Sequence, residues 1–335
     1  MADYSFTSKS TPNCINCGTP TRLFVRHKSI SDMFQCIRCG LIIANPGDYL
    51  REDDYQPLTS VDSLTDEDKQ RFSLVFSEGI DTSDGDGNMY ADFGMSQEAM
   101  AGGLFALVQE AIGDFTSLTS RDRFHVLDVG CATGFLLAEF RQAYPQAILR
   151  GVEPSPVSCR KARQLYRLNV HEGTMRTFDS QGLQFDVVTI IGNLQLHEDP
   201  FQTLRDVYRV MKPGGLLVYH MKNPFSSARR LARVAASLPA VKNSRLTNLA
   251  VERGYLCMRY AASKALLTEK TNEIGFDTLE VRTIPPRMLA YSNSDKAHAK
   301  GLVGKIWKVL DQIDTVLEQR AWIQITCLKP KDANA

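Results

Sequence analysis

The feature that most constrains the fold is an apolar segment that runs directly into a glycine-bordered turn. Residues 124–134 read Phe-His-Val-Leu-Asp-Val-Gly-Cys-Ala-Thr-Gly. This pattern predicts a buried strand, a tight turn and the start of a helix, which together bind a ligand at the carboxyl edge of a parallel sheet. Gly130 and Gly134 have no Cβ, so a ligand can lie against the main chain of the turn. We therefore predict an α/β fold with its binding site here.

The residues of the turn also restrict the ligand. Asp128 places a carboxylate where the pyrophosphate of a dinucleotide would be repelled. The dinucleotide pattern would also need glycines where Ala132 and Phe135 stand. We expect instead a ligand that carries an ammonium and a sulfonium but no phosphate.

Further landmarks follow along the chain. The next predicted strand ends in Glu153-Pro154, where a carboxylate can accept hydrogen bonds from both hydroxyls of a ribose. A third strand, residues 185–191, is followed by Gly192-Asn193-Leu194, and Lys212-Pro213-Gly214-Gly215 forms a turn before another apolar run. With these signals in this order, the chain resembles the class I S-adenosylmethionine (SAM) dependent methyltransferases over about residues 115–330.

This resemblance implies a fold and a cofactor. The fold is a Rossmann-like class I methyltransferase sheet that ends in an antiparallel hairpin, formed here by residues 279–284 and 322–328. An acidic residue that the family often uses for the adenine amino group is missing near Thr174-Met175, which leaves that contact to side-chain oxygens or backbone. The SAM-binding residues implied are Asp128, Gly130, Cys131, Ala132, Gly134, Glu153, Pro154, Thr174, Met175, Gly192, Asn193 and Leu194.

Two cysteine pairs near the amino terminus predict a metal site. Cys14 and Cys17 form one C-x-x-C pair, Cys36 and Cys39 form the second, and a glycine follows each pair. Their spacing is typical of a zinc ribbon, in which four thiolates close a tetrahedral structural site. Disulfides are less favoured, since the first residues do not resemble a signal peptide and the remaining cysteines are scattered singly. We expect structural Zn²⁺ and a cytoplasmic location.

Composition sets limits on partners and domains. The net charge of +1 gives the whole surface no strong attraction to nucleic acid, and no apolar run is long enough to span a membrane, so we expect no membrane partner. We predict a zinc ribbon over 1–45, an acidic linker and helical lead-in over 46–115, and a methyltransferase domain over 116–330. Insertions are expected at 222–260 and 285–321.

The two insertions suggest different roles. The first carries a set of basic residues without an acid from 222 to 250, namely Lys222, Arg229, Arg230, Arg233, Lys242 and Arg245. It could be a lid that attracts an anionic substrate, or a basic helix packed through Leu231, Val234 and Leu238. The second insertion has a helical apolar stripe from Leu302 to Leu317, which predicts a core or homodimer contact.

Methyl transfer from a sulfonium requires alignment with the acceptor and, for a hydroxyl or carbon acid, a base. Candidates should lie beyond the carboxyl ends of strands. The candidates are His197, His220 and Tyr255. His197 could instead cap the following helix, and His220 could be a buried imidazole with satisfied hydrogen bonds.

Three functions remain open from the sequence. The first is O- or C-methylation of a small-molecule acceptor, such as an anionic metabolite or a nucleotide-linked sugar. The second is RNA base methylation with the ribbon recognising RNA, although from Cys14 to Cys39 the ribbon has only four basic residues, Arg22, Arg26, Lys28 and Arg38. The third is a non-catalytic SAM-binding or interaction module.

Overall fold

A computed structural model describes residues 11–28, 30–45, 97–113, 123–255, 258–284, 309–310 and 312–331. Most of the predicted acidic linker and of the second insertion lie outside these residues. In chain order the strands are β1 (Thr21–Val25), β2 (Met33–Cys36), β3 (Ile42–Ala44), β4 (Phe124–Val129), β5 (Ala147–Glu153), β6 (Asn169–Glu172), β7 (Phe185–Ile190), β8 (Met211–Lys222), β9 (Tyr260–Ala261), β10 (Asp277–Ile284) and β11 (Trp322–Leu328). The helices are α1 (Gln97–Gly113), α2 (Phe135–Ala143), α3 (Pro156–Tyr166), α4 (Pro200–Val210), α5 (Ser227–Ser237), α6 (Arg245–Tyr255) and α7 (Lys264–Ile274).

The larger sheet has seven strands in the order β10-β11-β8-β7-β4-β5-β6. The strands from β4 to β8 pair in parallel, whereas β11 is antiparallel to both β8 and β10. This confirms the predicted α/β sheet with an antiparallel terminal hairpin. The strand order reverses between β4 and β7, and such a reversal opens a crevice at the carboxyl ends of the two strands.

The core fills both faces of this sheet because its strands are apolar on both sides. Leu127 and Val129 of β4 belong to one buried cluster, and Val126 belongs to the other. Capping side chains fix where the helices begin. The Asp199 carboxylate accepts hydrogen bonds from the backbone N–H groups of Phe201 and Gln202 at the start of α4.

The smaller sheet joins the amino-terminal ribbon to a strand far along the sequence. Its order is β1-β2-β3-β9, and β9 comes from the first insertion rather than from the ribbon. Ile42 pairs with Ala261 and Ile43 pairs with Tyr260 in an antiparallel register. The ribbon is therefore completed by a strand that the sequence places more than two hundred residues further along the chain.

The first insertion forms a helical hairpin from α5 and α6. Ala232 and Ala236 face its buried side and share a cluster with Val25 and Ile42 of the ribbon. The expectation that the larger aliphatic edge would pack inward is wrong, because Leu231, Val234 and Leu238 are 52%, 51% and 48% exposed. Small alanines let the helix approach the ribbon closely, which turns the larger side chains outward.

Arg229 also departs from expectation. Its guanidinium is buried and donates to the carbonyl oxygens of Gly254, Asn223 and Ala321 at 2.6, 2.7 and 2.6 Å. It ties the base of the hairpin to the start of β11 and is not a surface charge that attracts a substrate. The Ser227 backbone N–H, next to this junction, donates to both oxygens of Asp314.

Within the described residues, the structure contains no helix with the length and apolarity needed to cross a bilayer. Of the apolar stripe in the second insertion, Val309, Leu310, Ile313 and Leu317 lie in the described part of the chain, and Leu310 is half-buried. The other three are the exposed members. They are 53%, 42% and 58% exposed. These three side chains are thus not core, and a homodimer contact stays a prediction.

Candidate functional site

The glycine turn lies against the edge of β5. The backbone N–H groups of Gly130 and Cys131 both donate to the Val152 carbonyl, at 2.7 and 3.1 Å. Gly130, Ala132 and Gly134 have φ values of 73°, 48° and 85°, in the left-handed region that glycine adopts without strain. A Cβ at Gly130 would lie 2.1 Å from the side-chain nitrogen of Asn193, so this position has no room for a side chain.

Two buried carboxyl groups flank the turn. Glu153 accepts hydrogen bonds from the backbone N–H groups of Ala132 (3.0 Å) and Ser155 (2.9 Å). Asp128 accepts one from the hydroxyl of Thr189 at 2.7 Å. Burial raises the pKa of each carboxyl to about 7. A cationic ligand would favour the ionised forms, which burial alone disfavours.

Asn193, in the loop that follows β7, braces the turn. Its side-chain NH₂ donates to the carbonyl oxygens of Val129 (2.9 Å) and Gly130 (3.0 Å), which fixes the orientation of the amide. Its Oδ1 atom therefore faces Nε2 of His197 at 3.2 Å, and Nε2 must carry the proton. Nδ1 of His197 lies 3.1 Å from the Thr203 hydroxyl, whose single proton can go either to Nδ1 or to the Asp199 carbonyl, also 3.1 Å away.

His197 is consequently held neutral between two partners. Burial and the nearby Arg259 lower its pKa to about 4. Both ring nitrogens are engaged, so the ring is placed to hold Asn193 rather than to remove a proton from an acceptor. The sequence left two roles open for His197, a catalytic base and a local hydrogen-bonding group. This geometry favours the hydrogen-bonding role.

The site has polar atoms that its own residues do not satisfy. The hydroxyl of Thr133, inside the turn, is buried and has no hydrogen-bond partner. The Oε1 atom of Gln195 is also buried without a hydrogen-bond partner, whereas its Nε2 donates to the Gly192 carbonyl at 2.7 Å. Buried polar groups are almost always paired, so unpaired ones at a turn without room for side chains fit a bound polar ligand. These atoms and the two carboxyl groups suit SAM.

The other predicted cofactor residues are placed as follows. Cys131 is buried and its sulfur would contact a Cβ at Gly151, so only its backbone is available to a ligand. Leu194 and Met175 are packed in the core. Pro154 and Thr174 are half-buried at the carboxyl ends of β5 and β6, at the same edge of the sheet. The adenine contact of Thr174 and Met175 stays a prediction.

The other two catalytic candidates lie away from the turn. His220 is fully buried on β8, and burial lowers its pKa to about 4. Its Nε2 faces the Gln324 side chain at 3.0 Å. The Gln324 amide is satisfied when its oxygen accepts from Arg282 and its NH₂ donates to His220. Nδ1 of His220 is buried and has no hydrogen-bond partner, so His220 is a buried imidazole in which only one of the two nitrogens is satisfied.

Tyr255 lies in the contact between the hairpin and the ribbon. Its hydroxyl donates to the Arg229 carbonyl at 2.8 Å, and its ring meets Phe24 of β1 edge to face, with the ring centroids 6.4 Å apart. Burial raises its pKa to about 12. The structure thus gives Tyr255 a packing role, and its role as a base stays a prediction.

The four amino-terminal cysteines form one cluster. Their sulfurs all lie within 4.8 Å of one another, and three of the pairs are 3.5, 3.6 and 3.9 Å apart. Zn–S bonds of about 2.3 Å in a tetrahedron separate the sulfurs by roughly 3.8 Å, so the spacing fits zinc. A disulfide would need about 2.05 Å. Gly18 and Gly40, at φ of 68° and 76°, turn the backbone directly after each pair.

The ribbon reaches the candidate site through β9. The hydroxyl of Tyr260 donates to the Glu198 carbonyl at 2.8 Å, in the loop that carries Asn193 and His197. Arg259, the preceding residue, lies close enough to lower the pKa of His197. The sheet that carries the cysteine cluster is therefore connected to the loop that braces the glycine turn.

The sequence did not identify Thr189, Thr133 or Thr203 as site residues. Thr189 faces Asp128 because β4 and β7 pair in parallel with these two residues in register. A threonine inside an otherwise apolar strand was the available signal, but which residue lies opposite it depends on a pairing that a single sequence does not specify.

Comparisons with known proteins agree with this geometry. Residues 126–215 match the family described as "Methyltransferase domain". Malonyl-[acyl-carrier protein] O-methyltransferase 1 of Coxiella burnetii is 33% identical over 101 residues, 30% of this chain and 34% of the relative. The ubiquinone biosynthesis O-methyltransferase of Pseudomonas entomophila is 32% identical over 120 residues, 33% of this chain and 50% of the relative.

An RNA-directed enzyme is also similar. Ribosomal RNA large subunit methyltransferase G of Shewanella amazonensis is 32% identical over 105 residues, 28% of this chain and 27% of the relative. The chain thus spans between about a quarter and a half of the length of these relatives. The family match, residues 126–215, contains the glycine turn and ends before the hairpin.

Proposed function

We propose that this chain, a class I SAM-dependent methyltransferase, transfers the cofactor's methyl group to a small-molecule acceptor, by O- or C-methylation of an anionic metabolite or nucleotide-linked sugar. One observation carries the proposal. Two buried carboxyl groups, Asp128 and Glu153, flank a turn in which Gly130 cannot take a side chain. This arrangement suits a cationic ligand that lies against the main chain.

Each residue of the site has a role in this proposal. SAM would supply an activated methyl group on its sulfonium. Glu153 would hold the ribose hydroxyls, and Asp128 would stabilise the ammonium side. Asn193, held by His197, fixes the turn against which the cofactor lies. The protein's contribution is then alignment and exclusion of water more than covalent chemistry.

Replacing Glu153 tests the cofactor assignment. Glu153→Ala should weaken SAM binding by about 1.5–3 kcal/mol, the scale of a hydrogen bond to a charged group. Calorimetry measures this directly, and the melting temperature of the SAM-free variant shows whether the fold is kept. Unchanged SAM affinity in a folded variant would remove Glu153 from the cofactor site.

The acceptor class can be tested without knowing the acceptor. Protein is incubated with deuterated-methyl SAM and a metabolite extract, and in parallel with total RNA. Label in a small molecule supports the proposal. Label in RNA alone would favour RNA base methylation, which the similarity to the ribosomal RNA enzyme keeps as a second candidate. Absence of label in both, with SAM bound, would favour a non-catalytic SAM-binding module.

A further inference from the structure

The turn that joins α5 to α6 is exposed along its whole length. We call residues 237–246 the hairpin tip, and every one of them is exposed. The tip is nevertheless ordered by its own hydrogen bonds. The Lys242 N–H donates to the Leu238 carbonyl at 2.9 Å, and the Ser244 N–H donates to the Val241 carbonyl at 2.9 Å. The Lys242 carbonyl lies 3.0 Å from Nε2 of His27 in the ribbon.

The exposed side of the hairpin is aliphatic. In the tip, Leu238, Val241 and Leu246 are 48%, 40% and 61% exposed. Leu231 and Val234, on the same side of α5, continue this surface back along the helix. We call these five side chains the apolar edge. Single exposed leucines are common on proteins, but five exposed aliphatic side chains on one helical hairpin favour a binding surface.

Positive charge surrounds the apolar edge. Lys242 and Arg245 lie within the tip, and Arg230 is exposed on α5. No acidic residue occurs from 222 to 251. Within residues 222–251 the only charged side chains that accompany this leucine and valine surface are cations, which fits a partner that is apolar beneath and anionic at its surface.

We propose that the hairpin tip docks on an anionic lipid bilayer, with the apolar edge in the interface and Arg230, Lys242 and Arg245 among the headgroups. This replaces the sequence-based expectation of no membrane partner, which considered only segments that span a bilayer. An exposed amphipathic element with basic flanks binds bilayers without spanning them, because apolar burial and headgroup attraction add. A second copy of this chain would bring like charges together. RNA would leave the apolar edge unused, and the tip has no aromatic ring on which a base could stack.

This docking would orient the candidate site. The hairpin and the ribbon share a buried cluster, and β9 then reaches the loop after β7 through Tyr260 and Glu198. A bilayer at the tip would therefore contact the hairpin, which is connected to the candidate site through the ribbon and β9. If the proposed methyl transfer is correct, its acceptor would be an amphiphile taken from the lipid–water interface, a conclusion that rests on the proposed function.

Vesicle sedimentation tests the docking by itself, without acceptor. The full chain is mixed with phosphatidylcholine vesicles, or with vesicles that also contain phosphatidylglycerol, at low and high salt. The apolar variant is L238Q/V241Q/L246Q, and its control is L165Q, since Leu165 on α3 is 61% exposed, as is Leu246. The charge variant is K242Q/R245Q, with R205Q on α4 as its control. SAM binding and the melting temperature show that each variant is folded.

The proposal expects at least tenfold stronger binding to the anionic vesicles and at least tenfold loss in both tip variants, with both controls unchanged. Failure of the wild-type chain to sediment with anionic vesicles would overturn it. It would also be overturned if K242Q/R245Q lost binding while L238Q/V241Q/L246Q kept it, because the tip would then recognise only negative charge, as on RNA or an acidic protein. Since none of these measurements involves turnover, they separate failure of the docking from failure of the proposed methyl transfer.

Discussion

The glycine turn and the hairpin–ribbon region are built from contacts of very different sequence separation. In the first, the Ala132 N–H meets the Glu153 carboxylate across 21 residues. In the second, His27 meets the Lys242 carbonyl across 215 residues. The contacts of the glycine turn join residues 21 to 63 positions apart, whereas the hairpin–ribbon region joins residues 215 positions apart and includes the predicted metal site. The two regions should therefore respond differently to metal removal, to pH and to substitution.

Metal removal should separate the two regions most strongly. Cys36→Ser removes one of four ligands, and structural zinc contributes directly to folding. Because β3 pairs with β9, we expect the hairpin to lose its support, and acceptor turnover to fall by about 100-fold or more. SAM affinity should stay within about threefold, since the glycine turn keeps its own contacts. Turnover and calorimetry on the same preparation measure both.

Two controls sharpen this prediction. Elemental analysis of wild-type protein, prepared under reducing conditions without chelator, should find about one zinc per chain. Chelated wild-type protein should recover turnover when zinc is returned, whereas Cys36→Ser should not. Equal loss of SAM binding and of turnover would mean that the two regions form one cooperative unit.

The pH dependence of SAM binding tests the glycine turn alone. Because burial raises the pKa of Asp128 and Glu153 to about 7, both carboxyl groups bind protons in the SAM-free protein below that pH. A cationic ligand needs them ionised. As pH is lowered below about 7, SAM affinity should therefore fall by about tenfold per pH unit for each proton displaced. Calorimetry in buffers of different ionisation enthalpy counts the protons released.

The same shifts have the opposite effect on stability without SAM. The folded pKa is raised above the unfolded value, so the native state holds more protons between about pH 4 and 7. Stability from these groups is therefore present at low pH and is lost as pH rises through about 7. SAM affinity that is constant from pH 6 to 8 would contradict the assignment of these carboxyl groups to a cationic ligand.

Arg229 and Arg230 give a matched pair on one helix. Arg229→Gln leaves buried carbonyl oxygens of Gly254, Asn223 and Ala321 without their donor, so unfolding free energy should drop by about 2–4 kcal/mol. Arg230 is exposed beside the ring of Phe225, 5.7 Å from its centroid, and Arg230→Gln should change stability by less than about 1 kcal/mol. Urea unfolding compares them, and similar losses would refute the buried role of Arg229.

Sequence reasoning succeeded where chemistry is concentrated in short segments. The glycine turn, the position of Glu153 and the four cysteines each have a local pattern, and the structure brings Glu153 to the turn and the cysteines together. It failed where the answer depends on which faces meet. The sequence of α5 shows two faces, one lined by alanines and one by leucine and valine, and only the ribbon decides that the alanine face is buried.

The site has the same division. Asn193 could be named because it follows a strand, but its hold on Gly130 and its own support by His197 depend on how β4, β7 and the loop before α4 pack. From the sequence alone, His197 is a candidate base because it follows a strand. The hydrogen-bond partners of both ring nitrogens, which give it a positioning role, are not encoded in any local pattern.

The smallest predicted effect concerns the contact between hairpin and ribbon. The Arg233 guanidinium lies 4.2 Å from the centroid of Phe24, a cation–π contact between α5 and β1. Such contacts contribute about 0.5–1 kcal/mol when partly exposed, so Arg233→Gln should reduce stability by that amount. A double-mutant cycle with Phe24→Leu isolates the pairwise part. If the hairpin and ribbon fold as one unit, this coupling should be measurable in zinc-loaded protein and absent after chelation, because the ribbon that holds Phe24 would no longer face Arg233. Equal coupling in both states would show that the hairpin holds β1 without the metal. Loss of the metal would then no longer be expected to lower acceptor turnover.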